Sequence, residues 1–252
     1  MTPPDLDRTS ALFLDVDGTL VEIAATPEAV VVAPGLPGLL AQLHGLLDGA
    51  VAIVSGRPLS QIDELLHPFA GSAAGEHGVA IRFGDGTLEE APARVAVPDD
   101  WREALTATAA RWPGVRVEPK PHGVTVHYRL APERANEVWR AVRALVPEDD
   151  PWFRLLPARE AVEIGLRAAS KGQAVARLMK QAAFQGRRPV YVGDDFTDEA
   201  GISAAMELGG IGLRVGEAFG GDPARVRAWL KRGAERMAVP ERSSTLPTGI
   251  SP

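Results

Sequence analysis

Apolar residues fall in short blocks along the first third of this chain. Ala11-Leu12-Phe13-Leu14 and Ala50-Val51-Ala52-Ile53-Val54 are continuous apolar runs, the pattern of strands buried on both faces of a parallel sheet. Between them, Leu36, Leu39, Leu40, Leu43, Leu46 and Leu47 recur at helical spacing after Pro34-Gly35, which predicts a helix over residues 36–47. Pro58 suits the first turn of a further helix through Ile62, Leu65 and Leu66. Alternating strand and helix, from residue 11 to about 75, implies a parallel sheet with helices on its faces. Residues 79–83 and Thr87-Leu88 flank Gly84-Asp85-Gly86, a hairpin signal.

The pattern breaks from Ala91-Pro92 to Val97-Pro98, which reads as a linker. Beyond the linker the order is helix-strand-strand, and then the same again. The first helix carries Trp101, Leu105, Thr108, Ala109 and Trp112 on one stripe. The second, starting near Pro132-Glu133, carries Ala135, Val138, Trp139, Val142 and Leu145. Residues 115–117, 124–130, 152–156 and 161–166 supply four strands, so a small α+β unit is expected whose helices cover one face of its sheet. The β/α pattern then resumes, with a helix from Gly172, a strand at 189–192, a helix after Phe196, a strand near 210–213 and a last helix around 223–230. Residues 239–252, rich in Ser, Pro, Thr and Gly, read as a disordered tail. The expected fold class is α/β. A Rossmann-like parallel-sheet core from residues 1–95 and 168–238 would carry an inserted α+β cap domain, residues 96–167.

The first apolar run ends in Asp15-Val16-Asp17-Gly18-Thr19, two carboxylates one residue apart. Ligands gather at the carboxyl ends of parallel strands, so Asp15 and Asp17 are expected at a cleft mouth with their like charges uncompensated. Mg²⁺ resolves such a conflict, because it takes hard carboxylate oxygens and substrate phosphate together. A strand running into an ordinary Asp-Gly turn would read the same way. Three further segments bear on the choice. Ser55 follows the second strand, where its hydroxyl and backbone N–H groups at a helix N-terminus can hold phosphate oxygens. Lys171, just before the helix from Gly172, places an ammonium where anionic charge must be neutralised. Gly193-Asp194-Asp195-Phe196-Thr197-Asp198 follows the strand at 189–192 and supplies more carboxylates. Each alone could be a helix cap, an exposed lysine or a turn. Jointly, at one sheet edge and in this order, they point to phosphoryl transfer.

Composition narrows the partners. A net charge of −6 argues against nucleic acid as the main partner. No run of roughly eighteen apolar residues is present, so no membrane span is expected. The polar, acidic N-terminus lacks the basic start and apolar centre of a signal peptide, which makes the cytoplasm the default location. The absence of cysteine excludes disulfides, thiol catalysis and zinc-thiolate sites. Nothing in the sequence sets an oligomeric state.

The chain resembles the haloacid dehalogenase-like phosphatases, whose four motifs match Asp15-Val16-Asp17-Gly18-Thr19, Ser55, Lys171 and Gly193-Asp194-Asp195. The resemblance implies that Asp15 is a nucleophile forming an aspartyl-phosphate and that Asp17 is general acid and then general base. Mg²⁺ would be held by the Asp15 carboxylate, the Asp17 backbone carbonyl and Asp194. Ser55 and Lys171 would clamp the phosphoryl oxygens, with Asp198 and Asp195 behind them. The insert falls between Ser55 and Lys171, the C2-type position for a cap that closes over the site.

Strand parity sorts the insert's side chains. Val124, Val126, Tyr128 and Leu130 share one face and Thr125, His127 and Arg129 the other; Val162, Ile164 and Leu166 oppose Glu163 and Gly165. The apolar faces must meet the helices, so His127, Arg129 and Glu163 lie on the open face, where they either meet a polyhydroxyl ligand or simply face water. Ser55-Gly56-Arg57, Gly75-Glu76-His77-Gly78, Lys120 with His127-Tyr128-Arg129, Glu163-Ile164 with Ser170-Lys171-Gly172, and the run 193–199 are similar to the trehalose-6-phosphate phosphatase family. That likeness implies sugar contacts from Glu76, Lys120 and Glu163, with Arg57, His77, His127 and Arg129 nearby. It departs at Ile164-Gly165-Leu166-Arg167, where proline is expected, and at His122, where serine is more usual. A phosphatase for sucrose phosphate or a glycosyl-glycerate phosphate, a hexose-phosphate mutase and a non-catalytic regulatory domain stand as alternatives.

Overall fold

The computed structural model describes residues 2–91 and 95–239. Strands β1 (Ser10–Leu14), β2 (Val51–Val54), β3 (Ser72–Gly75), β4 (Ala80–Arg82) and β5 (Leu88–Glu90) come first in the chain. Next are β6 (Arg116–Pro119), β7 (Val124–His127), β8 (Phe153–Ala158) and β9 (Ala161–Leu166), then β10 (Arg188–Gly193) and β11 (Ile211–Arg214). The helices are α1 (Leu36–Leu46), α2 (Leu59–Leu66), α3 (Asp99–Ala109), α4 (Ala135–Leu145), α5 (Lys171–Leu178), α6 (Glu199–Glu207), α7 (Val215–Phe219) and α8 (Pro223–Ala238).

A seven-stranded sheet runs in the order β11-β10-β1-β2-β3-β4-β5. Its first five strands are parallel, and the β4–β5 hairpin is added antiparallel. Strands β1 and β2 are buried along their whole length, as continuous apolar runs require. Helix α1 packs against α8 and α5 against α6, and their apolar faces merge with the sheet into one core. Helix α8 starts where Asp222 accepts a hydrogen bond from Ala224 N at 2.8 Å and Pro223 fills the first position. No helix among the described residues is long and apolar enough to cross a membrane.

The second sheet, β6-β7-β9-β8, is antiparallel throughout. Leu105 of α3 and Val138 and Val142 of α4 pack with Val124, Val126, Val162 and Ile164 in a separate apolar cluster. Trp101 meets Phe153 edge-on at 5.7 Å between ring centroids. The helices therefore cover one face, as the periodicity of both stripes predicts.

Several boundaries differ from the sequence reading. Strand β3, made of Ser and Ala, carries too little apolar signal to be recognised. Strand β7 ends at His127, because Ala131 N donates to Tyr128 O at 2.9 Å and turns the chain. Leu130 is consequently exposed instead of sharing the apolar face. The next strand begins at Phe153, leaving Trp152 exposed, and runs on to Ala158. Ser55 sits in the loop before α2, whose N-cap is Pro58, so no helix N-terminus begins at Ser55 itself. Lys171 is the first residue of α5, capped by Ser170, which accepts from Gln173 N at 3.2 Å. The last helix extends to Ala238. The expected tail lies outside the described residues except for Val239, and so do residues 92–94 of the expected linker.

Candidate active site

Strands β1 and β10 are neighbours at the point where the strand order changes direction, the place where open α/β sheets receive ligands. Asp15 N donates to Val192 O at 3.0 Å, which extends the ladder by one residue and brings Asp15 out beside Asp194. Lys171 Nζ donates to Asp15 Oδ1 at 2.8 Å and to Asp198 Oδ1 at 2.6 Å, and all three side chains are buried. Burial works against the ammonium charge, but Asp15 and Asp198 outweigh it and hold Lys171 above the usual lysine range. Burial and the Asp198 charge push the Asp15 carboxyl well above the usual carboxylate range, against the pull of Lys171. Asp194 is pushed up to about 7 by burial and by the charges of Asp198 and Asp195.

The cluster thus holds more carboxylate than its one lysine neutralises. One carboxylate oxygen from each of Asp15, Asp194 and Asp198 lies within 4.8 Å of the others. Asp194 Oδ1 is buried with no hydrogen-bond partner among the described residues. An orphaned carboxylate oxygen inside an acidic cluster fits a hard divalent cation. Asp198 is committed elsewhere: its Oδ1 also accepts from the Tyr191 hydroxyl at 2.7 Å and its Oδ2 from Asp195 N at 3.0 Å. Asp195 accepts from Phe196 N in return, so this pair forms the cap of the short turn that leads into α6. Gly18 has φ of +75°, and a side chain there would meet Asp194 Oδ2 at 2.1 Å. Glycine is the residue that lets the two acidic loops approach this closely.

Asp17 points along the cleft, and its two oxygens accept from Arg57 Nε and Nη2, each at 2.7 Å. Arg57 is fixed in turn by Gln61 and by the carbonyl of Pro27, both at 3.3 Å.

The second sheet supplies the opposite wall through its strand register. Glu118 pairs with Thr125, Thr125 with Glu163 and Glu163 with Leu156, one row across all four strands. Every member of that row lines the cleft. The polar face therefore looks at the Asp15 centre and not at bulk water, and Glu163 is only 5% exposed. Lys120 Nζ donates to Glu163 Oε2 at 2.5 Å and to Gly56 O at 2.8 Å, joining the two sheets. His77 Nε2 lies 3.4 Å from the other Glu163 oxygen. Burial opposes ionisation of Glu163, but the charges of Lys120 and His77 hold it well below the usual carboxylate range. His127 Nε2 is 2.8 Å from Glu118 Oε2.

The structure brings together Asp15, Asp17, Ser55, Arg57, His77, Lys120, His127, Arg129, Glu163, Lys171, Asp194 and Asp195 around one cleft. Asp198 stands immediately behind it. Glu76 does not line it: its carboxylate accepts from His122 N at 3.0 Å and lies 3.4 Å from His122 Nδ1, in a buried pair behind the wall. Arg129 lines the cleft, yet its guanidinium donates to Ala24 O, to Glu160 and to Arg159 O. In this arrangement it is a strut between the β8–β9 turn and the loop after β1.

Sequence reading missed Glu118, Arg159 and the cleft-lining loop that includes Ala24, Pro27 and Val30. Alternation in Arg116-Val117-Glu118-Pro119-Lys120 carries the signal for Glu118, since it shares a face with Lys120. The loop has no periodic pattern to find.

Comparison with known proteins identifies the family. The family model described as trehalose-phosphatase matches residues 13–219. A probable trehalose-phosphate phosphatase of Sinorhizobium fredii is 42% identical over 212 residues, covering 84% of this chain and 79% of that one. The trehalose-6-phosphate phosphatase of Escherichia coli is 35% identical over 213 residues, covering 84% and 80%. Among solved structures, the C-terminal domain of the C. albicans trehalose-6-phosphate phosphatase shares the fold, with a TM-score of 0.75 and 18% identity over 92% of this chain and 98% of that one. The chain belongs to the trehalose-phosphatase family of phosphoric monoester hydrolases.

Proposed function

We propose that the chain hydrolyses trehalose 6-phosphate to trehalose and inorganic phosphate. The observation that carries this reading is the facing of two dissimilar walls. A buried Asp15–Lys171–Asp198 centre, suited to a phosphoryl group, opens onto a sheet row of Glu118, Thr125 and Glu163, suited to hydroxyls. In this reading residues 96–167 are the cap that selects the ester. Lys120 uses two of its three N–H donors on Gly56 and Glu163, which leaves one for a sugar oxygen.

Asp15 attacks phosphorus, and the bond to the sugar oxygen breaks as that oxygen takes a proton from Asp17. Water then attacks the aspartyl-phosphate, its proton passes to Asp17, and phosphate leaves with Asp15 restored. Lys171 and the Ser55 hydroxyl hold the phosphoryl oxygens as charge spreads over them. A Mg²⁺ ion held by the Asp15 carboxylate, the Asp17 carbonyl and Asp194 would supply positive charge to the same oxygens. The test is phosphate release from trehalose 6-phosphate against glucose 6-phosphate and sucrose 6-phosphate, with and without Mg²⁺. Preference for either comparison sugar would move the substrate assignment.

Metal binding should depend on pH with a definite sign. With Asp194 at about 7, the metal-free site is protonated in acid, and Mg²⁺ must displace that proton. From Asp194 alone, affinity at pH 5.5 is expected to be roughly thirtyfold weaker than at pH 8, and protonation of the raised Asp15 carboxyl adds to the loss, read by calorimetry. A carboxyl raised in the folded state contributes stability below its unfolded value of 3.8 that is lost as pH rises through 7. Added Mg²⁺ should therefore raise the melting temperature more at pH 8 than at pH 5.5. Equal effects at both values would show that Asp194 is not a ligand.

Glu163→Gln tests the cap. The amide keeps the volume but loses the charge that Lys120 and His77 share. Turnover of trehalose 6-phosphate is expected to fall about tenfold to a hundredfold. Turnover of p-nitrophenyl phosphate, which has no sugar hydroxyls, should fall far less. Equal losses on both esters would make Glu163 a structural member of the cap.

A further inference from the structure

Tyr191 is the one polar side chain within the apolar stretch of β10 and is fully buried. Its strand partner is Phe13 of β1, and its neighbours Val190 and Val192 belong to the apolar core. A phenylalanine would fill such a slot without a buried hydroxyl to satisfy, a group that is destabilising when unpaired. The hydroxyl has a specific partner: it donates to Asp198 Oδ1 at 2.7 Å. The same oxygen receives Lys171 Nζ at 2.6 Å, and Lys171 reaches Asp15 Oδ1 at 2.8 Å.

The surroundings are shaped for the ring. Gly201 lies inside α6, and a Cβ there would sit 2.3 Å from Tyr191 Cε2 and 2.5 Å from Cζ. Glycine weakens a helix interior relative to alanine. Its presence at this point of α6 has a local reason, the space occupied by Tyr191. Burial and the charges of Asp198 and Asp15 keep the phenol well above its ordinary range, so it remains a donor throughout the neutral region.

We propose that Tyr191 is a positioning residue for phosphoryl transfer, its hydroxyl fixing the Asp198 carboxylate that aims Lys171 at Asp15. Asp198 is held from three sides: by Tyr191 and Lys171 at Oδ1 and by Asp195 N at Oδ2. Removing the Tyr191 bond leaves Oδ1 to Lys171 alone and loosens the carboxylate, which keeps only Lys171 and Asp195 N as partners. Lys171 then loses its fixed direction at the moment charge develops on the phosphoryl oxygens, where preorganisation matters most. The inference rests on the reading of this cleft as a phosphatase site.

The experiment is Tyr191→Phe, measured with both trehalose 6-phosphate and p-nitrophenyl phosphate beside the parent protein. The expected result is a kcat lowered about tenfold on both esters with KM changed by less than about twofold. Both esters share the phosphoryl group, and the cap is untouched. Gly201→Ala, which places a methyl against the ring, should reproduce the same pattern, with circular dichroism confirming the fold of each variant. Unchanged kcat in folded Tyr191→Phe, or a loss confined to trehalose 6-phosphate, would overturn the proposal. A parent that turns over p-nitrophenyl phosphate but not trehalose 6-phosphate would refute the sugar assignment instead, while Tyr191 is still judged on the generic ester.

Discussion

Asp15→Asn is expected to abolish phosphate release from trehalose 6-phosphate, by about a thousandfold or more, in a protein that still folds. The amide is isosteric with the carboxylate but cannot attack phosphorus. The structure adds a second expectation about stability. Burial and the Asp198 charge raise Asp15 well above the usual carboxylate range, so its charge is held at a free-energy disadvantage. In the variant Lys171 faces a neutral amide oxygen in place of the Asp15 carboxylate and keeps the charged Asp198 at 2.6 Å. The metal-free variant should therefore melt at or above the parent's temperature at pH 8, an activity loss without a stability loss. Acid quenching during turnover should trap phosphate on the parent chain and none on the variant. Activity within tenfold of the parent, or a melting temperature lowered enough to explain the loss, would remove Asp15 from the nucleophile's role.

Much of this architecture is written in one-dimensional patterns. Strands β1 and β2 are legible because burial on both faces demands unbroken apolar runs. Helices α3 and α4 are legible because each covers a sheet on one side only. The acidic strand ends are legible because a parallel sheet delivers its carboxyl edge to ligands. Strand β3 is not, since Ser72, Ala73 and Ala74 could belong to a loop or a helix as readily. Parity identifies the polar face of the second sheet but cannot say what lies opposite it. That depends on how the two sheets dock, and no local pattern encodes docking.

The same limit explains the pairings within the site. Lys120 and Glu163 are separated by 43 residues, and Arg57 and Asp17 by 40. Each pair exists because separate strands end at a common cleft. Glu76 shows the converse: a motif position implied a sugar contact, while the structure turns its carboxylate toward His122. His122 takes up the carboxylate through its backbone N–H and its ring. Tyr191 gives no sequence signal either, because a tyrosine inside an apolar strand reads as core until its hydroxyl's partner is seen.

Asp17→Asn should separate the two halves of the reaction. In the proposed sequence of steps Asp17 first protonates the leaving sugar oxygen and later takes a proton from water. An asparagine does neither; its Oδ1 still accepts from Arg57, while its amide nitrogen faces the second guanidinium N–H donor to donor, so the two-bond contact is reduced to one. A sugar alkoxide is a poor leaving group without a proton, so turnover of trehalose 6-phosphate should fall ~10²–10⁴-fold at its first step. p-Nitrophenolate leaves readily as an anion at neutral pH and needs no acid. With p-nitrophenyl phosphate the variant should still form the aspartyl-phosphate at close to the parent's rate, then stall for want of a base. The signature is a burst of about one p-nitrophenol per active site followed by slow turnover, with no burst of trehalose from the natural ester. A variant that stays within a few-fold of the parent on trehalose 6-phosphate contradicts the assignment. A variant that loses both esters equally and shows no burst contradicts it too, since Asp17 would then serve the arrangement of the site and not its proton transfers.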